Sequence, residues 1–134
     1  DAREFGLPHQ GSGSGFIINK DGTGLRQVTN MPGLRGRSDW SVQDQISTYA
    51  GEAWKREVYI FSPDNPAVRQ VSPPGGNGQG PSFSPDGNWI AFTAYYDHFQ
   101  DVDGCEIYAV RTDGTGLARL TDNDYCDWQP RWGP

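Results

Sequence analysis

The chain has 134 residues, room for one domain of ordinary size, and Gly 18 with Pro 10 make up about a fifth of it against a usual share of roughly 12%; because these residues cost about 1 and 3 kcal/mol in a helix interior, a helical bundle or coiled coil is excluded. Trp 5, Tyr 6, Phe 6 and a hydrophobic share of 34% are too rich for a disordered chain, which leaves an all-β domain with many turns. The net charge of −6, carried mainly by the turn residue Asp, disfavours a nucleic-acid partner, and no apolar stretch approaches the ~18–20 residues that span a bilayer.

The chain opens on Asp1 rather than Met, which reads as a processed or excised chain. Gln10-Gly-Ser-Gly-Ser-Gly15 has the composition of a flexible linker, and residues 1–15 are expected to form a tail docked on a neighbouring subunit. That run follows no strand and lacks the Lys of a phosphate-binding loop.

From Phe16 onward three patterns repeat in step. Asp21-Gly-Thr-Gly-Leu-Arg-Gln-Val-Thr-Asn30, Asp64-Asn-Pro-Ala-Val-Arg-Gln-Val-Ser-Pro73 and Asp113-Gly-Thr-Gly-Leu-Ala-Arg-Leu-Thr-Asp122 are offset by 43 and then 49 positions. Phe16-Ile-Ile, Tyr59-Ile-Phe and Tyr108-Ala-Val keep the same offsets of 43 and 49, as do Trp40-Ser, Phe83-Ser-Pro and Trp132-Gly-Pro. In the clearest unit, Gly80–Ser84 predicts a strand that ends in the turn Pro85-Asp86-Gly87, where Pro fixes φ and Gly accepts φ > 0. Trp89–Tyr95 predicts a second strand, Glu106–Arg111 a third after a hairpin at Asp103-Gly104, and Leu117–Thr121 a fourth after Asp113-Gly-Thr-Gly116. Four antiparallel strands in about 45 residues are the mark of a propeller blade. The expected units are a half blade over 16–30, blades over 37–73 and 80–122, and the inner strand of a further blade over 127–134.

Phe83-Ser-Pro-Asp-Gly-Asn-Trp-Ile-Ala-Phe92, Glu106-Ile-Tyr108, Asp113-Gly-Thr-Gly-Leu117 and Leu120-Thr121 together resemble the TolB-type β-propeller repeat, and Asp127-Trp-Gln-Pro-Arg-Trp-Gly-Pro134 is similar to the opening of another copy. The second unit departs from the pattern, with Trp40-Ser-Val-Gln-Asp44 in place of the Pro-Asp-Gly turn and Asp64-Asn-Pro66 in place of Asp-Gly-Thr. The resemblance implies an all-β fold of four-stranded antiparallel blades, about three per chain, in a ring left incomplete unless another chain completes it. One strand is missing from the count, and Arg3–Leu7 can supply it. Exposed edges and an uncovered blade face then invite other copies of the chain. Two copies can close a six-bladed ring, the same complementation can run on as a polymer, or the chain is a fragment of a longer one.

Cys105 and Cys126 are the only cysteines. In the repeat they fall at the start of a third strand and just beyond the outer strand antiparallel to it, so they can meet at one end of the blade. A disulfide closing about 20 residues is worth about 3 kcal/mol and implies an extracellular or periplasmic home, while two buried thiols are the alternative. Asp97, Asp101, Asp103 and Glu106 are a candidate calcium cluster without EF-hand spacing, beside the simpler reading of hairpin and solvated-loop residues; no other cofactor is expected. No Gly-x-Ser-x-Gly elbow is present, and His9 and His98 belong to no catalytic motif, so no enzymatic activity and no catalytic residue is expected.

Arg3, Phe5, Leu7, Phe16, Trp128 and Trp132 are candidate interface residues at the open ends of the array. Tyr95, Tyr96 and Phe99, off the repeat, are candidates for an exposed patch that takes a protein or a glycan. The sequence-based expectation is a non-enzymatic TolB-like propeller module that acts by protein contact and self-association through blade and strand complementation. Two alternatives are a structural subunit of an extracellular filament or sheath and a fragment of the propeller of a prolyl-oligopeptidase-type peptidase.

Overall fold

A computed structural model describes residues 3–6, 14–35 and 37–133. Eleven strands form three antiparallel sheets, with no helix among the described residues. The first sheet holds β1 (Arg3–Gly6), β2 (Ser14–Asn19) and β3 (Arg26–Asn30). The second holds β4 (Asp39–Trp40), β5 (Ile46–Ala50), β6 (Glu57–Ser62) and β7 (Asn65–Gln70). The third holds β8 (Gln79–Phe83), β9 (Trp89–Ala94), β10 (Glu106–Arg111) and β11 (Ala118–Arg119). Strands neighbour one another in chain order, so short turns suffice and no crossover is needed.

Local chemistry makes these turns. Asp21 Oδ1 accepts the Thr23 amide at 3.0 Å and its hydroxyl at 2.6 Å, and Asp113 does the same for Thr115 at 2.9 and 2.5 Å. Asp86 Oδ1 accepts the Ser84 hydroxyl at 2.7 Å and the Asn88 amide at 2.9 Å, while Gly87 takes φ +77°. The second unit, which lacks Pro-Asp-Gly, builds an equivalent turn by other means. Asp44, at the repeat position of Gly87, takes φ +59°, a left-handed conformation that Asp tolerates better than most side chains. Its carboxylate accepts the Trp40 indole N–H at 2.7 Å, and Ser41 Oγ accepts the Gln43 and Gln45 amides at 3.2 Å each.

The sheets pack face to face. Strand alternation sends Val58 and Ile60 of β6 to one side, where with Val71 they meet Phe83, Ile90, Phe92, Ala94, Tyr108 and Val110 of the third sheet. Phe61 points the other way and joins Ile46, Ile17 and Val28 against the first sheet. The turn ends are tied as well. Arg26 reaches Asp64 at 2.9 Å, and Arg69, its repeat counterpart, donates to the Thr112 carbonyl of the third sheet. Gln43 Nε2 bonds the Asp86 carbonyl and Asn88 Oδ1, both at 2.7 Å.

A buried carboxylate module recurs between the third and fourth strands. Glu57 accepts the Ser72 hydroxyl at 2.8 Å and the Gly75 amide at 3.0 Å, and Ser72 Oγ accepts the Val58 amide at 2.8 Å. One repeat later, fully buried Glu106 accepts the Thr121 hydroxyl and, at 3.1 Å, the Asn123 amide, while Thr121 Oγ1 accepts the Ile107 amide at 2.9 Å. In the first sheet the corresponding residues are Ser14 and Thr29. Without the Glu, Thr29 Oγ1 is buried with no hydrogen-bond partner among the described residues.

Arg3–Gly6, within the Arg3–Leu7 stretch expected to supply the missing strand, pairs with β2 in register Arg3 to Asn19, so the first unit is a three-stranded sheet. By the repeat, β2 and β3 are its third and outer strands and β1 its second, so no inner strand stands beside it among the described residues. Conversely, the described part of 127–134 forms no strand. It has no second strand beside it to supply a ladder, and instead lies against the third sheet. There the Gln129 amide donates to Thr93 Oγ1 at 3.1 Å and the Trp132 indole to the Ser82 carbonyl at 3.0 Å.

Candidate functional site

The strongest feature is the last sheet's outer face. Val28, Val71 and Leu120 occupy one repeat position on or just past the fourth strand, and their exposures are 7%, 2% and 56%. Their settings match, because the Val71 amide donates to the Val58 carbonyl at 2.9 Å and the Leu120 amide to the equivalent Ile107 carbonyl at 2.7 Å. Val28 and Val71 are each covered by the sheet that follows; Leu120 has no following sheet among the described residues. Trp128 and Trp132, in the segment that follows, are exposed at 54% and 40%, Trp132 at the inner strands where its indole bonds the Ser82 carbonyl. At the opposite end, β1 bonds only β2, leaving its other edge open among the described residues. Phe16 and Ile18 of β2 are half-buried, whereas Phe61, the counterpart of Ile18, is buried. Among the described residues the two ends of the array are therefore complementary: an uncovered apolar face beside an inner-strand sequence, and a sheet without an inner strand. Of the tail expected to dock on a neighbour, residues 3–6 and 14–15 instead belong to the chain's own first sheet, as β1 and the start of β2, while Leu7 and the remainder, and all contacts of the Arg3 and Phe5 side chains, lie outside the described residues.

Between the inner strands lies a cleft of about 410 Å³, lined by Asp39 and Trp40, Ser82 and Phe83, and Arg131 and Trp132, three pairs of repeat equivalents. Asp39 holds two strands together. Its Oδ1 accepts the Trp40 amide at 3.0 Å and its Oδ2 the Phe83 amide at 2.7 Å. Together with the Trp132 indole, Asp39 thus satisfies the free edge of β8.

The expected exposed aromatic patch is largely core. Tyr95 is buried, and its ring meets Trp54 edge-on at 4.8 Å. Tyr96 stacks edge-on to Tyr108 at 5.0 Å and its hydroxyl donates to the Pro73 carbonyl at 2.5 Å; burial pushes its pKa up. The loop folds inward because the Tyr95 amide donates to the Gly76 carbonyl at 2.8 Å, and because Gly76 has no side chain: a Cβ there would meet the Tyr96 ring at 2.3 Å. Phe99 alone stays exposed, 5.7 Å from Trp54. Trp54 carries no repeat signature and was not legible as part of this group; it adopts φ +66°, an uncommon conformation for a bulky residue.

The candidate calcium carboxylates do not converge. Asp97 accepts the Tyr108 hydroxyl and pairs with Arg119 at 3.0 Å, and the first of these bonds chiefly holds its carboxyl below the usual range. Asp101 Oδ1 caps the Asp103 amide at 3.1 Å, and Glu106 is buried in the module described above. No group of three or more His, Cys, Asp or Glu among the described residues is placed to hold a metal ion. The two cysteines do meet: Cys105 and Cys126 form a disulfide with Cα atoms 4.5 Å apart. Beside it the Asp127 amide donates to the Cys105 carbonyl at 3.0 Å, fixing the path of 127–133.

No family model matches the chain. It is 31% identical over 120 residues to an uncharacterized protein of Agrobacterium fabrum, Atu1656, covering 89% of this chain and 39% of that protein. The structure of a protein assigned as TolB from Agrobacterium tumefaciens superposes with a TM-score of 0.80 at 23% identity, over 96% of this chain and 46% of the other. The crystal structure of TolB from Acinetobacter baumannii gives 0.72 at 23% identity, over 96% and 32%. The fold is thus that of a TolB-like β-propeller segment. The chain spans about two-fifths of the length of the curated relative it matches.

Proposed function

We propose that the chain is a non-enzymatic module of TolB-type propeller repeats that works by protein contact, and that its first partner is a second copy of itself. The exposure of Leu120 against its buried counterparts Val28 and Val71 carries this reading. The first sheet of a second copy would cover that face, and residues 129–133 would add to the open edge of its β1 as the inner strand. If the same contact is made at both ends, two chains of three sheets close a ring by two-fold symmetry. The disulfide supports an oxidising home, outside the cytoplasm.

Light scattering across a concentration series tests this directly. A limiting mass of two chains, which Leu120→Asp returns to one, is the expected result. Mass that grows without limit would replace the ring by the filament reading. A monomer at every concentration overturns self-association and places the covering blade in a longer polypeptide.

A further inference from the structure

We infer that a pocket between the first two sheets binds the tyrosine side chain of a peptide, because the next junction along the chain fills the same place with a tyrosine of its own. The pocket measures about 420 Å³ and lies between residues 30–32, at the end of β3, and Tyr59 of β6, with Gly51, Lys55 and Val68 among its other walls. This inference does not rest on self-association, since every residue named lies in one chain.

The backbone fixes the equivalence of the two places. Ala50 pairs with Glu57 as Ala94 pairs with Glu106. The Gly51 amide donates to the Gly33 carbonyl at 3.0 Å, as the Tyr95 amide does to the Gly76 carbonyl at 2.8 Å. Gly51 and Glu52 therefore stand where the third sheet has Tyr95 and Tyr96, and residues 30–32 stand where the later junction has 73–75. At that junction the Tyr96 ring lies edge-on to Tyr108 at 5.0 Å, and its hydroxyl donates to the Pro73 carbonyl. At the earlier one the counterparts of Tyr108 and Pro73 are Tyr59 and Asn30, both on the pocket wall, while Glu52 is exposed. The connection 51–56 is shorter than 95–105, and its one aromatic side chain, Trp54, packs on Tyr95 instead.

The shape left open is that of an aromatic ring with a polar tip. Tyr59 gives such a ring an edge-on partner, Met31, Pro32 and Val68 give it apolar contact, and Asn30 brings a polar residue to the place where the Tyr96 hydroxyl is met. Among the described residues that line the pocket the only charge is that of the exposed Lys55, and a cation favours an aromatic ring over an aliphatic chain. Tyr96 enters its own site from a backbone, which makes a peptide rather than a free phenol the matching occupant.

Titration of the backbone amide resonances by NMR provides the test. The probe is N-acetyl-tyrosine amide, compared with the N-acetyl amides of phenylalanine and leucine and with p-cresol. Saturable shifts centred on residues 30–33, 51–56 and 59 are expected, with a Kd in the low millimolar range that suits so small a ligand. The phenylalanine amide should bind about threefold or more weaker, the leucine amide about tenfold or more weaker, and p-cresol weaker than the tyrosine amide. Val68→Trp, at a partly exposed position, should fill the pocket and abolish the shifts. Tyr59→Leu, which keeps apolar bulk, should weaken binding about three- to tenfold, with the melting temperatures of both variants recorded alongside. Equal binding of the leucine amide, tighter binding of p-cresol than of the tyrosine amide, unchanged affinity in Val68→Trp, or no saturable shift at these residues would each overturn the inference.

Discussion

Thr29 and Thr121 occupy one repeat position with opposite consequences. Thr121 donates to Glu106 and accepts the Ile107 amide, whereas the Thr29 hydroxyl is buried without a partner among the described residues. A hydroxyl in the second state is a cost and in the first a link, so the same substitution should change sign. Thr29→Val is expected to raise stability by about 1 kcal/mol and Thr121→Val to lower it by about 1–3 kcal/mol, as read from urea midpoints at constant m. Glu57 adds a pH signature. Burial raises its pKa above the model-compound value of 4.5, against hydrogen bonds from Gly75 and Ser72 that lower it. The stability tied to that shift is fully present below pH 4.5 and is lost as pH rises through the folded value. Asp97, held below 3.8, acts in the opposite direction, its contribution being lost as pH falls below that value. Melting temperatures of the wild type and Glu57→Gln from pH 4 upward should therefore diverge. The wild type holds its advantage at the acid end and loses it as pH rises, and parallel curves would contradict this.

At the scale of elements, the strands were legible because the same residue types return at fixed offsets: Phe16, Tyr59 and Tyr108 mark third strands, and Trp40 and Phe83 inner ones. Where the pattern lapses, the backbone still finds the turn. Asp44 in place of Gly87 was hidden because any residue that tolerates positive φ serves, and here the Trp40 indole bond steadies it. The loop of Tyr95 and Tyr96 misled for a different reason: its inward fold depends on Gly76, a residue of the preceding connection, and no local pattern records that contact. For 127–133 the sequence carries an inner-strand motif, but strand formation needs a neighbour as well as a motif. The disulfide ties the start of this segment to the entrance of β10, and the Gln129 and Trp132 bonds hold the rest against the third sheet. Cys105→Ala with Cys126→Ala is expected to lower stability by about 2–4 kcal/mol in urea denaturation and to speed amide exchange in 127–133. Unchanged exchange there would mean that the Gln129 and Trp132 bonds suffice.

At the scale of the molecule, the array is an open stack whose two ends are unlike. A central sheet packs on both faces, while among the described residues the first sheet has no inner strand and the last no cover. Unequal ends of one repeat lattice fit one another by construction, because each presents what every internal junction already joins. Leu120→Asp should leave the melting temperature of the dilute protein within about 0.5 kcal/mol equivalent of wild type, since the site is exposed, yet abolish association. That pairing separates a surface contact from a folding defect.

Self-association is read out by hydrogen exchange of the β1 amides in dilute and concentrated protein, since those N–H groups that do not face β2 have no strand partner among the described residues. Their exchange is expected to slow as concentration rises, together with amides of 129–133, and Leu120→Asp to remove the effect. Exchange at β1 that is the same at every concentration would contradict it.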